Sequence, residues 1–225
     1  MNKNNTQIDQ EREAIQTKLA ILRAAIKKMK THPLETISVK ELCAAAAVTE
    51  TTFYTYFTKK TDLLEYYFQI TILEIAWYLE HAVKDKSNLA LVETLFDFAA
   101  RKVIGYPSVM SETIIYFAKE RRRPDFVALS KTEQALAFPN LPGIEQIHVQ
   151  DTSLETLVTP YLQRAVEQGE LPPQTDVPTV IRLISTIFTG VVMNLHLTEP
   201  ALICPLCRKH LQLLWKALWA DRQPC

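Results

Sequence analysis

The stretch Val48–Lys60 reads VTETTFYTYFTKK. It places five threonines and four aromatic residues in thirteen positions, and its two lysines both stand at the end. Thr49 suits the position before a helix, because its hydroxyl can accept a hydrogen bond from a free N–H of the first turn. A helix starting there sets Phe53 and Phe57 one turn apart, facing inward with Val48 and Leu42. Glu50, Thr51, Tyr54 and Thr55 then face outward, with Thr52 and Tyr56 on the flank. Exposed threonines and tyrosines have no reason to cluster for stability, so the outward face is a candidate contact surface.

The residues upstream give that helix a partner. In ISVKEL, Ser38 followed by Glu41 is a capping box, and Ile37 and Leu42 flank it as a hydrophobic staple. A short helix is therefore expected from Val39 to near Ala46, rich in small residues that let another helix come close. Further upstream Ile15, Leu19, Leu22, Ile26 and Met29 form one apolar stripe. They predict a helix from about Ile8 or Asp9 to Thr31, stopped by Pro33. Two short helices joined by a tight turn and braced by a longer one make a helix-turn-helix. The outward face of the second is the size of a major-groove probe, and its hydroxyls suit phosphate oxygens and base edges.

Of the 225 residues, 48% are hydrophobic, 22% charged and only 4 are glycine. With long 3.6-residue periodicities, this composition predicts an all-helical protein. Net charge is zero overall, but residues 1–60 carry 10 Lys/Arg against 6 Asp/Glu. The resulting excess of basic groups points to a basic N-terminal surface. Four cysteines make no disulfide framework. The polar N-terminus is not a signal peptide, and Leu183–Leu197 is too short and polar for a bilayer span, so a cytoplasmic protein is expected. No H-E-x-x-H, G-x-S-x-G or glycine-rich phosphate loop is present. An enzyme is not expected, and no cofactor is implied.

From Leu19 to about Glu65 the sequence resembles the DNA-binding domain of the TetR family of transcriptional regulators. The resemblance rests on ILRAAIKKM, ISVKELCAAAAV and TETTFYTYFTKKTDLL. It aligns Ala24, Ala25, Ser38, Val39, Leu42, Val48, Thr52, Tyr54, Phe57, Lys60 and Leu63 without a gap. A weaker similarity to the family's regulatory domain lies in YLQRAVEQGELPP, Tyr161–Pro173. The resemblance implies that Thr49, Glu50 and Thr51 point into the major groove, and that Ser38, Thr52, Tyr54, Tyr56 and Lys60 contact phosphates. Lys59 adds a cation beside them. The sequence departs from the family at Ala47, where glycine is common in the turn, and at Pro33, where another glycine is usual. Glu50 replaces a frequent lysine; its carboxylate repels phosphates but can accept from cytosine N4. Lys59 replaces a common Ser or Asn cap, leaving Thr58 as the alternative cap.

The expected organisation is a DNA-binding domain over residues 1–62 and a helical effector-binding and dimerisation domain over 63–225. Helices are expected at Thr61–Val83, Asn88–Gly105, Ser108–Glu120, Pro124–Ala137, Thr152–Gln168, Val177–Leu197 and Pro205–Ala220. Asp151 and Asp176 are expected N-caps and Gly169 a C-terminal stop. The helix from Val177 is apolar nearly all round, and the last helix carries Trp215 and Trp219. A homodimer through these two helices is expected, with two recognition helices about 34–36 Å apart on a palindromic double-stranded operator. Trp77, Phe98, Tyr116, Phe117, Tyr161, Met193 and His196 are candidates for lining the pocket of a small-molecule effector; ordinary core packing is the alternative.

Two other readings remain. One is a helical ligand- or protein-binding module without DNA binding, motivated by Glu50 and Ala47. The other is a redox or zinc sensor. Cys204 and Cys207 form a C-x-x-C at a helix start, where the dipole can lower a thiol pKa, and His210 follows one turn later. The run Arg121–Asp125 reads as a solvated helix end.

Overall fold

The computed structural model describes residues 3–81, 86–120, 128–149, 154–196 and 198–220. Among them ten α-helices follow one another: α1 (Lys3–Met29), α2 (Val39–Ala46), α3 (Glu50–Tyr56), α4 (Asp62–His81), α5 (Asn88–Gly105), α6 (Pro107–Glu120), α7 (Lys131–Ala137), α8 (Leu154–Glu167), α9 (Val177–Leu195) and α10 (Ile203–Ala220). Short 3-10 turns lie at Leu34–Thr36, Ile144–Gln146 and Pro200–Leu202, and the described residues contain no strand. The all-helical class expected from periodicity is the class observed.

The chain forms two compact units. One comprises Met1–Glu74 and Ser108–Gln150, the other Ile75–Pro107 and Asp151–Cys225. This division is not the single boundary after residue 62 expected from the sequence, which falls at the first residue of α4. The chain segment 108–150 clusters with the N-terminal helices rather than with the C-terminal ones.

In the first unit the α1 stripe is the organising surface. Ile15, Leu19, Leu22 and Met29 are buried and Ile26 half-buried. The helix starts five residues earlier than Ile8, through the polar run Lys3–Gln7; Ile8 itself is exposed. It ends at Met29, before the expected Thr31, where the Thr31 and His32 N–H groups both turn back to the Lys28 carbonyl.

The capping box opens α2: the Glu41 N–H donates to Ser38 Oγ, and Ser38 N–H donates to Glu41 Oε2 at 2.8 Å. At the other end Ala47 takes the left-handed conformation, φ 57° and ψ 41°. The Val48 N–H returns to the Cys43 carbonyl at 3.0 Å, closing the turn into α3. The left-handed turn is thus made without glycine, at a strain of ~1 kcal/mol.

Several helix ends differ from expectation. Asp62 begins α4 and its carboxylate accepts from the Lys59 N–H at 2.9 Å. The expected Thr58 cap is therefore replaced by a carboxylate reaching back from inside the helix. α7 starts at Lys131, capped by Ser130, rather than near Pro124. The run Arg121–Asp125, the Asp151 cap and Cys225 lie outside the described residues. Asp176 stands before α9 but makes no side-chain cap to a backbone N–H; it accepts from the Thr179 hydroxyl instead.

In the second unit α5 packs against α8, α9 and α10. Gly169, φ 73°, ends α8, and the next residue, Glu170, supplies a carboxylate to the N-terminus of α5. It accepts from the Asn88 and Leu89 N–H groups and from the Asn88 amide. Burial raises this carboxyl, but the hydrogen bonds outweigh it and hold its pKa below the usual value. α9 is long and apolar enough to cross a membrane, yet it buries only one stripe: Val180, Ile181, Ile184, Phe188, Val191 and Val192. Its other face exposes Arg182, Thr186 and Asn194 in the single chain. α10 buries Ile203, Cys207, Leu211 and Trp215 at one-turn spacing.

Ala47→Gly removes the strained Cβ while keeping the turn. It should raise the unfolding free energy by about 1 kcal/mol, read as a higher denaturant midpoint with an unchanged slope.

Candidate nucleic-acid interface

α3 is held by what it buries. Phe53 and Phe57 are 0% and 2% exposed, with ring centroids 5.6 Å apart. Phe57 also meets Tyr66 of α4 at 5.9 Å. Thr49 caps the helix by accepting from the Thr52 N–H at 3.1 Å. Glu50, Thr51, Tyr54 and Thr55 are exposed, and Thr52 and Tyr56 are half-buried. Val48, expected inside, is only half-buried and follows directly on the left-handed Ala47.

The candidate DNA-contacting positions differ in what their polar atoms already do. Thr51, Tyr54 and Tyr56 carry hydroxyls with no partner, and Tyr54 is 54% exposed. Thr49 and Thr52 share a hydroxyl–hydroxyl bond of 2.9 Å. Ser38 Oγ donates to Glu41 Oε2 at 2.7 Å while accepting from the Glu41 N–H. Glu50 projects from the first turn of α3, and its charge adds to burial in raising the nearby Cys43 thiol. Lys59 lies 4.0 Å from Glu120 and over the Tyr116 ring at 5.6 Å.

Lys60 is the departure. Its ammonium donates to the carbonyls of Leu34, Glu35 and Ile37 at 2.9, 3.0 and 2.6 Å. An ammonium has three donors, so the phosphate contact expected of it is not open in this conformation. The opposite end of the same turn is held by Glu112 of α6, whose two oxygens accept from the Leu34 N–H at 2.8 and 3.0 Å. Burial raises the Glu112 carboxyl, with the Leu34 N–H and Lys60 opposing. No local sequence signal marks Glu112, which lies 78 residues from its partner.

The seven candidate effector residues divide between the two units. Tyr116 and Phe117 belong to the first unit and the other five to the second. Tyr116 is buried and donates to Glu65 Oε1; Phe117 packs edge-on to Phe68 at 5.0 Å. Trp77 stacks on His81 at 4.3 Å, and Phe98 meets Tyr78 at 4.9 Å. Tyr161 lies under Arg164, Met193 is exposed, and His196 Nδ1 is 3.0 Å from the Val192 carbonyl. None of the seven lines either of two clefts. One, of about 520 Å3, lies in the first unit by Gln134. The other, of about 340 Å3, lies in the second between α9 and α10.

The cysteine pair behaves as packing. Cys207 is buried and Cys204 half-buried, and both are free thiols. Burial, with Asp97 and the neighbouring thiol, pushes Cys207 up to about 12; burial and Asp97 raise Cys204. The expected lowering by a helix start is overridden by desolvation. Among the described residues no three His, Cys, Asp or Glu side chains are arranged to hold a metal ion.

An αL turn between two capped short helices, the second showing a hydroxyl face, defines a helix-turn-helix domain. Residues 21–67 match the model of bacterial regulatory proteins of the tetR family. No curated protein sequence matches it. By fold it is similar to Thermus thermophilus FadR, a TetR-family transcriptional repressor solved with lauroyl-CoA (TM-score 0.58, 17% identity, 88% of this chain and 92% of that one). It is also similar to the fatty acid degradation regulator FadR from Bacillus halodurans (TM-score 0.58, 18% identity, 88% and 98%). CprB from S. coelicolor A3(2) is a third such structure (TM-score 0.56, 21% identity, 91% and 89%).

Lys60→Ala should lower the unfolding free energy by about 2 kcal/mol through three lost charge-assisted bonds. Its DNA affinity should fall with an unchanged slope of log K against log salt. A slope smaller by about 0.9 would make Lys60 a phosphate contact instead.

Proposed function

We propose that the protein is a repressor that binds a palindromic operator as a homodimer in the cytoplasm and changes its affinity when a small molecule binds. The observation that carries this reading is the outward face of α3. Thr51, Tyr54 and Tyr56 offer unpartnered hydroxyls on a helix whose opposite side is fully buried. Thr49, Glu50 and Thr51 sit in its first turn, the part that meets base edges in this motif. Tyr54, Tyr56 and Lys59 are the candidates for phosphate, with Ser38 and Thr52 engaged in caps that a phosphate has to share.

The pairing surface is the outer side of α9 and α10. Leu183 and Met193 of α9 and Leu213 of α10 are large and exposed. Thr186, Gly190, Leu206 and His210 line the groove between the two helices. A Cβ at Gly190 meets nothing within 4 Å in the single chain, so this spot is open to a neighbouring helix. A second copy packing its own α9 and α10 here makes a four-helix bundle. Effector and repression are carried over from relatives in the family, of which FadR from Thermus thermophilus is one that binds an acyl-CoA.

The test is a footprint on the DNA flanking the protein's own gene. A symmetric protected site is expected, and indifference to that DNA at low salt by folded protein overturns the reading. Tyr54→Phe should leave the unfolding midpoint unchanged and weaken operator binding by about 1 kcal/mol, the worth of one hydrogen bond. Leu213→Arg should give a helical monomer in sedimentation at micromolar concentration, with operator affinity lost.

A further inference from the structure

The cleft of about 520 Å3 in the first unit lies outside everything assigned above. Leu73 of α4, Leu129, and Ile147 after the second 3-10 turn supply its apolar wall. Gln134 of α7 also lines it and is only 9% exposed. Its amide Nε2 donates to the Leu129 carbonyl at 3.1 Å, which fixes the orientation of the group. Its Oε1 is buried and has no hydrogen-bond partner. Buried carbonyl oxygens are almost always satisfied, so this one marks a place for a donor. Lys131 and Glu145, of opposite charge, both line the cleft, so no single sign of field selects a charged ligand. The volume falls within the range of small-molecule sites, roughly 300–1,000 Å3.

We propose that this cleft binds a small uncharged amphiphile, its apolar body against Leu73, Leu129 and Ile147 and its O–H or N–H donating to Gln134 Oε1. The occupant bears directly on α7. Glu133, the neighbour of Gln134, accepts from Lys18 of α1 at 2.9 Å and from the Tyr66 hydroxyl of α4 at 2.7 Å. Lys18 also lies over the Tyr66 ring at 3.9 Å. The helix that carries the orphaned acceptor is therefore fastened to α1, the brace of the helix-turn-helix. As an effector site the cleft rests on the regulatory reading above; as a binding site it does not.

The experiment is calorimetric titration of the full chain, without DNA, with octan-1-ol and with its methyl ether, which lacks the donor. The alcohol should bind at least tenfold more tightly than the ether. Gln134→Leu should erase that preference while both still bind. Leu129→Trp should fill the cleft and abolish both, with thermal unfolding checking that it folds. If it does not fold, Val149→Trp at the half-buried edge of the same cleft makes the same test. No binding by the wild type, equal affinity for alcohol and ether, or binding that survives the tryptophan substitution overturns the proposal. With DNA absent, such a failure leaves the operator reading standing, and a failed footprint leaves the cleft standing.

Discussion

A helix of seven residues has no stability of its own, since isolated helices shorter than about 12–15 residues are marginal in water. α3 exists because Phe53 and Phe57 are buried to near zero exposure on the core that α1 and α2 provide. The Thr49 cap supplies the missing hydrogen bond of the first turn, and the Ala47 turn fixes the angle at which the helix leaves α2. With its inner side holding it in place, the outer side is free of structural duty. Threonine and tyrosine hydroxyls can then occupy it without a folding role, which is why the opening stretch mixes such unlike residues.

The entry to this motif is fixed by a second device. The turn Leu34–Thr36 has its first N–H held by the Glu112 carboxylate and three of its neighbouring carbonyls held by the Lys60 ammonium. The charges stand where the peptide dipoles favour them, anion at the N–H end and cation at the C=O end, as at the two ends of a helix. Each charge loses water but gains several hydrogen bonds at once. Burial of Glu112 raises its pKa only against that compensation. α6 thereby reaches the base of the helix-turn-helix by backbone recognition, and no side chain of the turn needs to be specified for it.

What the sequence made legible was local. The capping box at Ser38 and Glu41, the Thr49 cap, and the in–out split of Phe53 and Phe57 from Thr51 and Tyr54 all follow from neighbours within four residues. The family match of residues 21–67 is carried by the same local pattern. What it hid was distant. Lys60 carries the same residue type whether it grips a phosphate or three carbonyls 23 to 26 residues away. The aromatic residues Tyr116 and Trp77 have equal claims on a pocket in a one-dimensional reading, but they fall in different compact units. Cys204 and Cys207 have the spacing of reactive thiols, and only their burial shows desolvation winning over the helix dipole. Gln134 is an unremarked polar residue in the sequence; its significance lies in which of its two polar atoms is left over.

The balance of charge on the reading face bears on how such a protein gains affinity. Salt-dependent, sequence-independent binding scales with the number of phosphates that cations neutralise. Here α3 has no lysine or arginine, Lys60 is turned inward, and Lys59 leans toward Glu120. Glu50 in the first turn adds a repulsion from phosphate that a cytosine amino group can relieve. On the regulatory reading, α3 itself supplies no cation to phosphate and discriminates by hydroxyl and carboxylate contacts in the groove. Operator affinity must then come from two such faces acting together. On that same reading, pairing through the apolar α9–α10 surface would serve DNA recognition as much as α3 does.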